Sequence, residues 1–323
     1  MVEPLPEPAA DAALDAALDD APERRSAEVS AAFHGERLDK AVVAIAPEFS
    51  RNHLQGLIEQ GHVSVDGKTL LGASRKVLAG QRIDIELVPT AESRAFRPEA
   101  LDLVIVFEDA HLMVIDKPAG LVVHPAAGHW SGTLLNGLLA HHRAAAALPR
   151  AGIVHRLDKD TSGLMVVGKT LVAVTALVRA IAAREVHREY RAIVQGAVTP
   201  ARFSVDAPIG RDPQSRIRMA VLGSGKPART DVECLVRADR FTGLRCTLHT
   251  GRTHQIRVHL AARGHPLVAD PVYGGKPALG LQRQALHATR LAFSHPVTGD
   301  PLSFEAAFPE DFDRAWKSLA DTP

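Results

Sequence analysis

Between Ile153 and Thr170 the chain reads I-V-H-R-L-D-K-D-T-S-G-L-M-V-V-G-K-T, and this stretch limits the fold more than any other. Leu164 to Val167 form a short apolar run closed by Gly168, with the length of a buried strand. Ile153 and Val154 read as the end of a second strand. Between them, His155, Arg156, Asp158, Lys159 and Asp160 place five ionisable groups in six positions. Thr161, Ser162 and Gly163 are residue types that bend a chain back. Buried strands that converge on such a loop present charge at the edge of a core, where chemistry can be done. A polar hairpin loop without function is the alternative on composition alone.

The rest of the chain allows a large core behind that loop. Its 323 residues are 46% hydrophobic and 23% charged, ordinary for two or three globular domains. No apolar run approaches the roughly 18 residues of a membrane span, so no membrane partner is expected. Cys234 and Cys246 are too few and too far apart for a disulfide framework or a zinc ribbon, and read as reduced core thiols of a cytoplasmic protein. The first residues lack the basic and apolar segments of a secretory signal. Net charge is +1, but residues 1 to 28 hold eight acids against Arg24 and Arg25 and so carry -6, which leaves +7 on the remainder. A basic body suits a polyanionic partner.

Residues 1 to 28 have almost no large apolar side chains and are expected to be a disordered acidic tail. Over residues 29 to 90 the pattern changes. Leu38, Ala41, Val42 and Ile45 recur at helical spacing until Pro47, and Ser50 caps a second helix carrying Leu54, Leu57 and Ile58. Val63 and Val65 alternate before an Asp66-Gly67 turn, and Ile83, Ile85 and Leu87 alternate in a further strand. Residues 91 to 99, which follow Pro89 and contain Pro98, read as a linker to a large domain over 100 to 323. Inside that domain, Val104 to Phe107 and Met113 to Ile115 suggest strands around a Glu108-Asp109 turn. Thr133 to His142 and Leu171 to Glu185 read as helices, and Val186 to Val194 as a strand on which Tyr190 shares a face with Ala192 and Val194. Asp206 to Arg229 reads as a basic hairpin or loop.

The string H-R-L-D-K-D-T-S-G at His155 to Gly163 resembles the signature loop of the RluA/RluD family of pseudouridine synthases. D-K-P-A-G-L-V-V-H-P-A-A-G at Asp116 to Gly128, R-E-Y-R-A-I-V at Arg188 to Val194, and G-R-T-H-Q-I-R at Gly251 to Arg257 extend the likeness. L-V-V-H-P-A-A-G-H and G-I-V-H-R-L-D-K-D-T are closest to the RluD branch, which acts on the large ribosomal subunit. R-L-D-K at Arg37, S-R-N-H-L-Q-G-L-I at Ser50, G-H-V-S-V-D-G-K at Gly61 and A-G-Q-R-I at Ala79 resemble the small S-four-like RNA-binding domain, with Gln81 where that domain usually has Asp. The resemblance spans residues 29 to 310. It implies an α+β fold, with a mixed, largely antiparallel central sheet, flanking helices and a small α/β N-terminal RNA-binding domain.

The same resemblance assigns the candidate site. Asp158 becomes the catalytic carboxylate, Arg257 its ion-pair partner, Tyr190 the tyrosine set against the uracil ring, and Arg156 the residue that helps displace the base from its stack. In the small domain Arg37, Lys40, Arg51, Lys68, Arg75 and Lys76 become candidates for RNA phosphates. The charge of the later hairpin adds Arg211, Arg216 and Arg218. The first R-L-D-K copy lies within a helix, so Asp39 reads as a helix-surface acid. Asp160 reads as a turn residue bonding its own backbone, and His124, between Val123 and Pro125, as a hydrogen-bonded structural residue. Thr253 is placed as the cap of a helix ended by Gly264, which sets Arg257 against the helix dipole and asks for a compensating acid.

Uridine isomerisation needs only bond and proton transfers, so no cofactor is implied. Histidines 249, 254 and 259 are spaced too regularly by five to share a helical face, so no metal is expected. The expected partner is RNA, either 23S rRNA in its inter-subunit stem-loop or a pre-50S particle, and no protein partner is implied. Within the same class, a related synthase branch acting on another rRNA site or on tRNA stays open. Two other classes stay open too: a non-catalytic RNA-binding or ribosome-assembly factor on the same scaffold, and a glycoside hydrolase pairing Asp158 with Asp160.

Overall fold

The computed structural model describes residues 23–88, 95–126, 128–215 and 217–320. Two compact units divide the chain between Arg94 and Ala95.

In the first unit β1 (Glu23–Glu28), β2 (Val63–Val65), β3 (Lys68–Thr69) and β4 (Arg82–Leu87) form an antiparallel sheet in the order β1-β4-β2-β3. Helices α1 (Leu38–Ile45) and α2 (Arg51–Glu59) supply the rest of its core. Ser50 caps α2 by accepting from the His53 amide at 3.3 Å. Residues 23–28, expected in an acidic tail, are instead the edge strand β1. Their alternate side chains face the sheet, and backbone pairing with β4 overrides a composition poor in apolar residues. Residues 1–22 lie outside the described residues. Gln81, the departure from the usual Asp, still closes its turn. Its amide donates to Asp66 at 2.9 Å and its carbonyl accepts from the Leu78 amide at 2.8 Å.

Asp39 corrects the surface reading. It is fully buried and accepts hydrogen bonds from Arg37, Arg51 and Gln55 at 2.7 to 3.1 Å. A helix-period pattern assigns a face but cannot report that a second helix brings the Arg51 guanidinium and the Gln55 amide over it.

The second unit is built on a nine-stranded sheet. Its strands are β5 (Ile105–Glu108), β6 (Leu112–Lys117), β7 (Ser162–Gly168), β8 (His187–Gln195), β9 (Arg202–Asp206), β12 (Arg229–Arg237), β13 (Phe241–Leu248), β14 (Leu286–Ser294) and β15 (Pro301–Glu305). The order is β5-β6-β7-β14-β8-β13-β12-β9, with β15 also on β14. Only the β7–β14 pair is parallel. The fold is therefore mixed and largely antiparallel, with β10 (Ile209–Arg211) and β11 (Met219–Val221) as a separate hairpin in the expected basic segment.

Strand alternation sorts the core into two layers. Met113, Ile115, Met165, Val167, Ala192 and Val194 pack with the leucines of α3 (Leu134–His141) and with Ile256 and Leu260 of α5 (Gln255–Ala262). Leu112, Val114, Leu164 and Val166 face the other way, against Leu177 of α4 (Leu171–Ala183). Ile193 lies on that second face with Phe312, Ala315 and Leu319 of α6 (Glu310–Ala320). Helix α6 was not foreseen, although Phe312, Ala315, Trp316 and Leu319 have helical spacing. Residues 95–99, expected in a linker, pack on this unit. Asn136 of α3 donates to the Ala95 and Arg97 carbonyls and accepts from the Glu99 amide through its own carbonyl.

Two local expectations also change. Ile153 and Val154 are not a strand. The chain arrives through a 3-10 turn at Pro149–Gly152, and only Ile153 bridges Val167. Ser162 and Gly163 are not the bend but the start of β7, where an added Cβ at Gly163 would collide with the Ala288 backbone of β14.

Candidate active site

The Asp158 loop is held from three sides. The Thr161 amide donates to the Asp158 carbonyl at 3.1 Å and closes the bend. Buried Lys117, at the end of β6, donates to the carbonyls of Pro118, Leu121 and Lys159 at 2.8 to 2.9 Å. Burial lowers the Lys117 pKa to about 7, against the upward pull of Asp160 and Asp158. His155 accepts from the Val166 amide at 3.0 Å through Nε2, so its proton sits on Nδ1. Burial, with a smaller contribution from Arg188, depresses its pKa to about 3, and the ring is a neutral strut.

The Asp160 side chain makes no hydrogen bond among the described residues. The expected bond to its own backbone is therefore not formed. Its main-chain carbonyl instead accepts from Arg283 at 3.0 Å, and Arg283 is itself paired with Asp311. The sequence gives no local sign of this contact, which joins residues 123 positions apart.

Asp158 and Arg257 are brought together. Arg257 Nη1 donates to Asp158 Oδ2 at 2.9 Å, and Nε and Nη2 donate to both oxygens of Asp270 at 2.7 and 2.8 Å. Arg257 sits in the first turn of α5, as the sequence indicated, where a cation opposes the helix dipole. Two carboxylates, not one, answer that cost. Burial works to lower the Arg257 pKa, but the Asp270 hydrogen bonds and the charge of Asp158 outweigh it and raise the pKa. The cap of α5 is His254 in a left-handed conformation rather than Thr253. Gln255 holds the turn instead, accepting from the Arg252 amide and the Thr250 hydroxyl.

Asp270, Tyr273 and His254 had no site role in the sequence reading. The available signal was the D-P-V-Y-G-G turn, whose acid could answer the cation on α5. The Tyr273 ring lies 5.0 Å from the Arg257 guanidinium carbon. Its oxygen accepts from the Met219 amide at 3.0 Å, so its proton is directed to His254 Nδ1 at 2.9 Å. His254 therefore presents Nε2–H towards Asp158 Oδ1, 3.9 Å away. Burial lowers the His254 pKa despite Asp158, leaving a neutral donor. With Oδ2 held by Arg257, Oδ1 is the carboxylate oxygen without a hydrogen bond among the described residues.

Tyr190 is buried on β8 beside this pair. Burial raises its pKa, opposed by Arg188 and reinforced by Asp158, so it rests as a neutral phenol. Arg156 is exposed two residues before Asp158 and makes no ion pair among the described residues. The cleft joining these groups has a volume of about 420 Å³, within the range of small-ligand sites. His124 also lines it. Its Nε2 is buried without a hydrogen-bond partner, contrary to the structural role expected for it, and burial lowers its pKa.

The remaining candidates divide by unit. In the first, Arg37 bridges Lys76 through the backbone, and Arg37 and Arg51 share Asp39, which leaves their side chains half exposed. Lys40 pairs with Glu36 at 2.8 Å. Arg75, Lys76 and Lys68 are exposed, the last on the β2–β3 hairpin. In the second unit, Arg211 and Arg218 are on or beside the β10–β11 hairpin. Arg218 lies over the Tyr273 ring at 5.5 Å and 3.9 Å from Asp212, while Arg216 lies outside the described residues. Among the described residues no cluster of His, Cys, Asp and Glu has metal-binding geometry.

A loop carboxylate held by a helix-borne arginine, beside a buried tyrosine in a basic cleft, suits carboxylate chemistry on a nucleotide. The model of the RNA pseudouridylate synthase family matches residues 111–262, and that of the S4 domain matches residues 36–83. Ribosomal large subunit pseudouridine synthase D of Neisseria meningitidis serogroup B is 49% identical over 290 residues, 86% of this chain and 77% of that protein. Its namesake in Nitrosomonas europaea is 48% identical over 297 residues, 90% of this chain and 86% of that protein. The solved structure of human RNA pseudouridylate synthase domain containing 1 aligns with a TM-score of 0.51 and 25% identity, covering 73% of this chain and 98% of that one. The chain belongs to the RNA pseudouridylate synthase family. It is an isomerase acting on RNA, with an S4 domain ahead of the synthase domain.

Proposed function

We propose that this enzyme converts uridines of large-subunit rRNA, in the inter-subunit stem-loop of 23S rRNA, to pseudouridine, and that Asp158 carries the reaction. The observation behind the chemistry is the Asp158–Arg257–Asp270 arrangement, which leaves one Asp158 oxygen open to the cleft. The rRNA address is supported by the large-subunit synthases that the chain resembles over most of its length.

In the reaction the C1'–N1 bond breaks, the uracil turns, C5 bonds to C1', and the C5 proton is lost while N1 gains one. No redox equivalent is needed. Asp158 acts through Oδ1 as nucleophile at C1' or base at C2', and either route needs the carboxylate oriented as Arg257 orients it. Tyr190 stacks on the base. As a neutral phenol it relays the C5 proton rather than receiving it as a phenolate. Arg156, free at the cleft, fills the space left by the extruded base. The S4 domain holds the RNA through its basic side chains. The enzyme works in the cytoplasm, where rRNA is assembled, and needs no cofactor.

The test is replacement of the gene by its Asp158→Asn version in the source cell. Pseudouridine is then mapped across total RNA by carbodiimide-dependent primer-extension stops. Loss of stops confined to the inter-subunit stem-loop is the expected result. Loss at other positions overturns the address, and an unchanged map overturns the role of Asp158.

A further inference from the structure

Arg188 on β8 is a buried guanidinium with nothing to bind. Its relative exposure is 5%, its Nε is a buried donor without a partner, and it makes no hydrogen bond or ion pair among the described residues. Burying an arginine is costly unless a charge and acceptor oxygens meet it. The two other most buried arginines of this unit have such partners: Arg257 has two carboxylates and Arg283 has Asp311, and even the less buried Arg191 has Glu189 at 3.9 Å.

The side chain faces the active-site cleft. Arg188 and Tyr190 are two residues apart on one strand, hence on one face, and both line the cavity that holds Asp158. The wall opposite is Gly251, where an added Cβ would stand 2.9 Å from Arg188 Nη1. Glycine there leaves room for the guanidinium against the backbone. The cleft as a whole is short of negative charge. Arg150, Arg156, Arg184, Arg188, Arg252 and Arg257 line it, and Asp158 is its only acid among the described residues. Since Asp158 is already engaged by Arg257, the excess awaits charge from a ligand.

We propose that Arg188 is a phosphate-binding residue that grips a backbone phosphate next to the target uridine, anchoring the extruded nucleotide beside Asp158 and Tyr190. A neutral uracil carbonyl could accept a hydrogen bond but would leave the buried charge uncompensated. A phosphate supplies both the charge and the oxygens that a planar guanidinium binds in pairs. The inference rests on the target nucleotide entering this cleft, as in the proposed function.

The experiment uses the full chain and a synthetic stem-loop of the large-subunit rRNA containing the target uridine, tritiated at C5. Single methylphosphonates, which remove one phosphate charge, are placed in turn at the linkages flanking that uridine and at distant ones. Tritium release gives kcat/KM. For the wild type, one flanking substitution is expected to lower kcat/KM by about ten- to a hundred-fold, the range of a charge-assisted hydrogen bond. Arg188→Met should lose a similar factor on unmodified RNA, and the same methylphosphonate should then add less than about two-fold, because coupled contacts are not lost twice. Arg188→Lys, which keeps the charge, should stay sensitive to it.

Gly251→Ala is an independent probe, since its methyl displaces the guanidinium without removing it, and it too should lose sensitivity to that linkage. A wild type indifferent to every flanking methylphosphonate overturns the proposal even if Arg188→Met fails to fold. So do penalties that simply multiply in Arg188→Met. If the wild type does not convert the unmodified stem-loop at all, the rRNA address itself has failed, an outcome distinct from indifference to the phosphate.

Discussion

Asp158 has one oxygen tied down and one open because Arg257 is shared between two acids. Asp270 takes two of its donors, which fixes the plane of the guanidinium, and the remaining Nη1 can then meet Asp158 from only one direction. Asp270→Asn should therefore act on catalysis through orientation. It replaces a fully buried carboxylate with an amide that cannot accept from both donors, and loss of such a partner costs about 3 kcal/mol or more. We expect kcat to fall at least about a hundred-fold with RNA affinity changed less than about three-fold. An unaltered kcat in single-turnover assays would show that Asp158 does not depend on this pair for its position. The need for one compensating acid was visible in principle, since a cation in a helix's first turn is unfavourable, but the need for a second beside Asp158 was not. Nor was the identity of that second acid, because Asp270 reaches Arg257 only through the turn after α5.

At the scale of elements, the α1–α2 pair of the small unit is pinned by Asp39. Hydrogen bonds from Arg37, then Arg51 and Gln55, overcome its burial and hold its pKa far below the usual carboxylate range. A group depressed in the folded state contributes stability that is complete above its unfolded pKa, about 3.9, and declines as pH falls below it. Asp39→Asn should destabilise the small unit by about 2 kcal/mol at neutral pH, discounted for the half-exposed arginines. It should also flatten the unit's loss of stability below about pH 4. Hydrogen exchange of the α1 and α2 amides from pH 7 to pH 3 measures both effects, and a variant with the wild-type acid limb would contradict the assignment. These helices themselves were legible from Leu38, Val42, Leu54 and Ser50. The burial of Asp39 was not, because R-L-D-K in a helix looks like a solvent-facing turn until the second helix is packed over it.

At the scale of the molecule, the two units are expected to divide the work. Removing residues 1 to 94, along the boundary between units, should raise KM for an rRNA fragment by about ten-fold or more and leave kcat at saturating RNA within about three-fold. Filter binding and single-turnover kinetics separate these, and unchanged affinity would mean that the S4 domain is no RNA anchor.

The amino-acid order by itself determined the strands and helices whose apolar periodicity is strong. The contiguous strings around Asp158, Tyr190 and Arg257 pointed to the site through their resemblance to a known family. Those signals are local, a few residues of pattern or motif read along the chain. Only the tertiary structure decided that 23–28 pair as an edge strand, that Ser162 and Gly163 lie in β7 rather than in the bend, and that Asp270 completes the Arg257 pair. It alone left Arg188 buried without a partner. In each case the deciding partner is distant in sequence: β4 for 23–28, the Ala288 backbone for Gly163, the turn beyond α5 for Arg257. Burial and charge compensation are properties of neighbours in space, and a chain read in order does not yet have them.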